Sequence, residues 1–218
     1  MSACLSSISK AISLLALVAS TAGCTDAIDN TLLPAQDYSQ FSDFDKISIA
    51  NGFGVTVRQG ATRQVSVSTT AANQSKLQVS QLNGTLTVQI DNKATNGPSG
   101  MVDITMPSLT GINFSGGVSA TITGFTQPSL VASFSGGSTV TLTGSVGQLT
   151  ASLTGGSTVN AYSFPASDAV INLAGGSEAR IAASQNLNVT ASGGSKVYYR
   201  GTPTLVQNLT GASTVSKE

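Results

Sequence analysis

The feature that most constrains this chain is a glycine doublet that returns about every 20 residues. It stands at Ser115-Gly116-Gly117, Ser135-Gly136-Gly137, Thr154-Gly155-Gly156, Ala174-Gly175-Gly176 and Ser192-Gly193-Gly194, with Thr210-Gly211-Ala212 as a last variant. First glycines are separated by 20, 19, 20, 18 and 18 residues. A constant spacing of this length marks stacked repeats.

The flanks say what is stacked. Two residues before each first glycine stand Phe114, Phe134, Leu153, Leu173, Ala191 and Leu209. Four before stand Ile112, Ala132, Ala151, Ile171, Val189 and Gln207, and four after stand Ala120, Val140, Val159, Ala179, Val197 and Val215. Apolar residues therefore alternate on both sides of the doublet, and Ser, Thr and Asn fill the positions between. That is strand, sharp bend, strand, with one face buried. Strands of one parity at a constant pitch do not suit hairpins. They suit coils, each pairing in parallel with the coil above and below at about 4.8 Å. The pattern predicts an all-β parallel β-helix with 18–20 residues per rung, and we expect the right-handed form.

A bend between two strands of one rung asks for φ > 0, which glycine reaches cheaply. Two residues past the first glycine come Val118, Ser138, Ser157, Ser177, Ser195 and Ser213, at inward parity. A small hydroxyl there can bond along the stack or cap backbone groups of the corner. A phosphate-cradling glycine loop would need a helix after the glycines, and here a strand follows. Residues 44–110 alternate in the same way (Ile47 and Ile49, Val55 and Val57, Leu86, Val88 and Ile90) but do not repeat. Asn51-Gly52, Asn83-Gly84 and Asn96-Gly97-Pro98 mark turns. These residues are expected as irregular opening rungs that cap the regular rungs of 111–218.

The N-terminus reads as an address. Lys10 precedes the apolar run Ala11–Ala19, and small residues lead to Cys24. This is a signal peptide over 1–23, too short an apolar run to span a bilayer. Thr21-Ala22-Gly23-Cys24 resembles a bacterial lipobox, although Thr21 stands where an aliphatic residue is usual. The resemblance implies lipidation of Cys24 and hence a membrane partner through the acyl chains. Cys4, the one other cysteine, lies inside the removable segment, so the mature chain has no internal disulfide. Residues 24–43 carry scattered aspartates and no period, as a tether would.

Phe44-Asp45-Lys46-Ile47, Asn51-Gly52-Phe53-Gly54-Val55, Asn83-Gly84-Thr85-Leu86, Met106-Pro107-Ser108-Leu109 and the serial Ser-Gly-Gly-Ser marks together resemble one family. It is the putative auto-transporter adhesin head-domain family, also called the GIN domain, over about residues 44–216. The resemblance implies a right-handed parallel β-helix in the bacterial envelope, surface-exposed or periplasmic, often as an outer-membrane lipoprotein. It carries over no functional residues.

Composition then limits the chemistry. Ten Lys and Arg against ten Asp and Glu provide no basic field, so a nucleic-acid partner is excluded. The absence of histidine excludes Ser-His triads and His-ligated metals. No cofactor or metal motif is present. Residues 111–216 hold five charges. Asp168 stands apart. Glu178, Arg180, Lys196 and Arg200 fall at outward parity on two adjacent rungs, where Glu178 should stack on Lys196 and Arg180 on Tyr198. The ordinary reading is cross-strand pairing that interrupts a flat Ser/Thr surface. The functional reading is a surface patch of Glu178, Arg180, Lys196, Tyr198 and Arg200 for an acidic glycan or a peptide. A Thr ladder of Thr121, Thr123, Thr139, Thr141, Thr143 and Thr158 forms a second, uncharged surface. The expectation is a non-enzymatic envelope lipoprotein presenting a rigid solenoid for adhesion. The alternatives are a degraded or atypical carbohydrate-active β-helix enzyme and a self-assembling envelope protein.

Overall fold

The structure is a computed structural model that describes residues 31–91 and 99–218. The expected signal segment, Cys4, Cys24 and the expected turn at Asn96-Gly97-Pro98 lie outside the described residues.

The chain is almost entirely β. Its strands are β1 (Gln36–Asp37), β2 (Lys46–Ala50), β3 (Phe53–Gln59), β4 (Gln64–Thr69), β5 (Leu77–Leu82), β6 (Thr85–Ile90), β7 (Gly100–Met106) and β8 (Gly111–Ser115). There follow β9 (Ser119–Phe134), β10 (Thr139–Leu153), β11 (Thr158–Leu173), β12 (Glu178–Ala191), β13 (Lys196–Arg200), β14 (Thr204–Leu209) and β15 (Thr214–Lys217). From β8 onward every pairing is parallel. Equivalent residues stand over one another: Val140 opposes Ala120 and Val159, and Leu149 opposes Leu130 and Ala169. The stacked coils form a β-solenoid of about five turns, as the repeat predicts.

The alternation decides what is inside. Ile112, Phe114, Leu130, Phe134, Val140, Leu153, Ile171 and Val189 are all buried, while the intervening Ser, Thr and Asn face out. Phe114 and Phe134 meet inside at 5.9 Å between ring centres, worth about 0.5–1.5 kcal/mol beyond their area. On the last rung the cover thins. Leu205, Leu209 and Val215 are only partly buried.

Every complete doublet forms a corner in which both glycines have φ between +63° and +82°. The first doublet is followed by buried Val118; after each of the other four a serine turns inward and donates from Oγ to the carbonyl three residues earlier. Ser138 reaches Ser135 O at 2.9 Å, Ser157 reaches Thr154 O at 2.8 Å, Ser177 reaches Ala174 O at 2.8 Å and Ser195 reaches Ser192 O at 2.7 Å. The hydroxyl therefore caps the corner within its own rung. These four serines are fully enclosed, so each would otherwise be a costly buried polar group.

The opening half caps the stack, in an order the sequence does not reveal. Asn51 (φ +73°) and Gly52 (φ +76°) make a corner between β2 and β3. That coil pairs in parallel with β8 and β9 on one side and with β6 and β7 on the other. The first coil in sequence is thus not the end of the stack. Outside it β5 lies antiparallel on β6, β4 antiparallel on β7, and β1 antiparallel on β4. Antiparallel strands close an end that would otherwise invite a further parallel strand. Residues expected within the tether take part: Tyr38 stacks on Phe41 and its N–H donates to Val65 O at 2.8 Å.

Candidate functional site

Each coil has two long faces. One is built from the strands before the corners and the other from those after them. The predicted patch lies on the second, over β12 and β13.

The register aligns Glu178 with Lys196 and Arg180 with Tyr198, as the repeat predicts. The side chains add detail. Arg180 lies over the Tyr198 ring at 5.6 Å and places a guanidinium nitrogen 2.8 Å from Glu178 Oε1. The carboxylate of Glu178 thus pairs along its own strand, and Lys196 stands exposed beside it.

Arg200 joins a group that the repeat does not predict. Its guanidinium carbon sits 4.0 Å from the centre of the Tyr162 ring, and a guanidinium nitrogen lies 3.5 Å from Glu218 Oε2. The Tyr162 hydroxyl donates to that same carboxylate oxygen at 2.8 Å. The backbone N–H of Glu218 is itself held by Tyr199 O at 2.9 Å. Burial pushes the Tyr162 phenol up to about 12, and the hydrogen bond to Glu218 and that residue's charge add to the shift. Tyr162 and Glu218 are the residues missed. Tyr162 lies at outward parity two residues after Asn160, so parity alone could have placed it on this face.

The result is a surface with two tyrosine rings, two arginines laid over them and one exposed ammonium. Each of its two glutamates is paired with an arginine. The remaining carboxylate of the regular rungs, Asp168, is on the other face and accepts from Asn186 Nδ2 at 2.6 Å. Among the described residues no group of three acidic or cysteine side chains could hold a metal, and no helix is long and apolar enough to cross a membrane. The Thr ladder also forms. Thr141 opposes Thr121 and Thr139 opposes Thr158, but the register shifts before Thr143, which opposes Ser163.

Fold and surface together define a parallel β-solenoid domain that offers flat faces and one aromatic-cationic patch. Residues 43–203 match the family described as putative auto-transporter adhesin, head GIN domain. The chain belongs to that family. No curated protein matches the sequence. Among solved structures, the chain is similar to a putative adhesin from Bacteroides fragilis, with a TM-score of 0.69 and 19% identity, over 88% of this chain and 99% of that one. It is also similar to a putative lipid binding protein from Parabacteroides distasonis, with a TM-score of 0.54 and 17% identity, over 87% and 98% of the two chains. At these identities the likeness is one of fold.

Proposed function

We propose that the protein is a non-enzymatic adhesion module of the cell envelope, held at the membrane through lipid on Cys24 and contacting an acidic glycan through the Tyr162–Arg200 patch. Membership of an adhesin-head family supports the adhesive role. The observation that carries the contact site is the grouping of Arg180, Arg200 and Lys196 with the Tyr162 and Tyr198 rings on one face of the regular rungs, whose other outward residues there are mostly Ser and Thr. Tyrosine rings offer a plane to a sugar ring, and a guanidinium matches a carboxylate in two-point geometry.

Catalysis is disfavoured by the same geometry. A carbohydrate-cleaving site works with two acidic groups in different protonation states. Here both glutamates are tied to arginines. The test is a glycan and matrix-protein array probed with the exported chain, repeated with Lys196→Glu and Arg200→Glu. The reading predicts retention on uronate- or sialate-bearing glycans that falls at least tenfold in both variants. Equal binding by wild type and variants would remove the patch from the account.

A further inference from the structure

The face opposite the patch has a different character. It comprises β5, β6, β2, β8, the second halves of β9, β10, β11 and β12, and β14, nine strands in all. Across them the only charged residues are Lys46 and, at the edge, Asp168. No aromatic ring points outward there. Gly111, Val131, Thr150, Val170, Asn188 and Val206 follow one another in register as a single outward column. Toward the cap the column continues through Lys46 and Thr85 to Leu82. Leu82 is 73% exposed, Val131 56% and Val206 59%, so the three most exposed large apolar side chains among the described residues share that column. Beside Val131 lies a shallow groove of about 680 Å³ between Lys46, Thr87 and Asn113, with the aliphatic stem of Lys46 laid across Gly111 at its floor.

We propose that two copies of this chain pack through this face about a two-fold axis that runs along the strands between Gly111 and Val131. A face without net charge offers nothing to a strongly acidic or basic partner, and one without aromatic rings offers no stacking plane to a sugar. A second identical face suits it on three counts. Knob and groove are neighbours on one ladder, so the axis seats each Val131 over the Gly111 groove of the other copy, the reciprocal fit that two-fold contacts require. The same axis lays eight of the nine strands over one another. At about 4.8 Å per strand and about 3.3 Å along six residues, the overlap is roughly 750 Å², close to the ~800 Å² per partner of a stable interface. It also brings Thr150 opposite Lys46 of the other copy, whose ammonium lies 3.8 Å from its own Asp45 carboxylate, so a charge already paired meets a hydroxyl. Such a dimer leaves both adhesive patches on its outer sides and lets them bind together.

The contact is independent of the patch, and the test keeps the two apart. Sedimentation equilibrium of the exported chain carrying Cys24→Ser, which removes the lipid, is expected to give twice the monomer mass. Val131→Glu should give a folded monomer, its far-ultraviolet circular dichroism unchanged because that side chain faces solvent within the single chain, and its melting temperature should lose the concentration dependence that a dimer shows. Thr150→Lys should also dissociate the pair by opposing Lys46, whereas Thr150→Asp should keep it and make it salt-sensitive. Lys196→Glu, on the other face, should stay dimeric. A wild-type monomer at about 100 µM would overturn the proposal, as would a dimer that survives both Val131→Glu and Thr150→Lys.

Discussion

Arg200 lies over the Tyr162 ring, its guanidinium carbon 4.0 Å from the ring centre, although the two residues belong to coils two turns apart. Glu218 completes the group by accepting from the Tyr162 hydroxyl at 2.8 Å. The phenol is thereby held in its neutral form, raised from the usual 10.0 to about 12 by burial first and by Glu218 second. A raised folded-state value means that the stabilisation is complete below pH 10 and is lost as pH climbs through about 12. Alkaline titration of tyrosinate absorbance should therefore show one phase near pH 12. Tyr162→Phe should abolish that phase, and Glu218→Gln should move it toward ordinary tyrosine. A titration unchanged by Tyr162→Phe would contradict the arrangement.

The enclosed corner serines yield a second prediction. Ser157 donates to Thr154 O at 2.8 Å from a fully buried position. Ser157→Ala strands that carbonyl on the hydroxyl's side and should cost about 1–2 kcal/mol in chemical denaturation. Ser213→Ala removes a bond of the same kind, made at 2.9 Å on the half-open last rung, together with a longer one of 3.2 Å that its oxygen accepts from the Ser195 N–H. Water can replace the hydroxyl there, and the cost should be smaller. Equal losses would mean that burial is not what gives the bond its worth.

What the sequence reveals follows from how local each feature is. Corner, inward serine and alternating core are written within 20 residues, so the repeat alone implies the solenoid and the stacking of Arg180 on Tyr198. Tyr162 escapes because it is uncharged and stands two coils from Arg200, although the offset that pairs Asn160 with Arg180 sets it on the column of Ala182 and Arg200. The placement of the cap escapes for another reason. Leu77 and Val79 on β5 alternate just as Ile47 and Ile49 on β2 do, and alternation reports which face is buried, not which way a neighbour runs. The two-residue Asn83-Gly84 turn marks β5 and β6 as a hairpin, but only the pairing shows β2 parallel on the other side of β6 and β4 antiparallel on β7.

Anchoring gives a third prediction. Cys24 follows the apolar segment at the position where a lipobox cysteine is acylated. Several acyl chains at about 0.8 kcal/mol per buried methylene hold a protein durably to a bilayer. Cys24→Ala should move the chain from the membrane pellet to the soluble envelope fraction. It should leave the melting temperature of the solenoid unchanged. Continued pelleting of the variant would sink the lipid anchor.

The two glycines of one corner should differ in what they tolerate. Gly136 (φ +64°) and Gly137 (φ +77°) are both left-handed, which costs a substituted residue about 1–2 kcal/mol. Their surroundings are unlike. A Cβ on Gly136 would come within 2.9 Å of the backbone nitrogen of Gly116 on the neighbouring rung, whereas one on Gly137 meets nothing within 4 Å. The obstacle at Gly136 is backbone and cannot swing aside, so Gly136→Ala must push neighbouring rungs apart as well as bear the strain. It should lose several kcal/mol in denaturant unfolding, and Gly137→Ala only about 1–2. Asparagine separates strain from collision, because it tolerates left-handed backbone, as Asn51 does at φ +73°. Gly137→Asn should recover much of the loss seen with alanine, and Gly136→Asn should recover little. Equal recovery at the two positions would show that backbone strain alone, and not the approach of neighbouring rungs, reserves the corner for glycine.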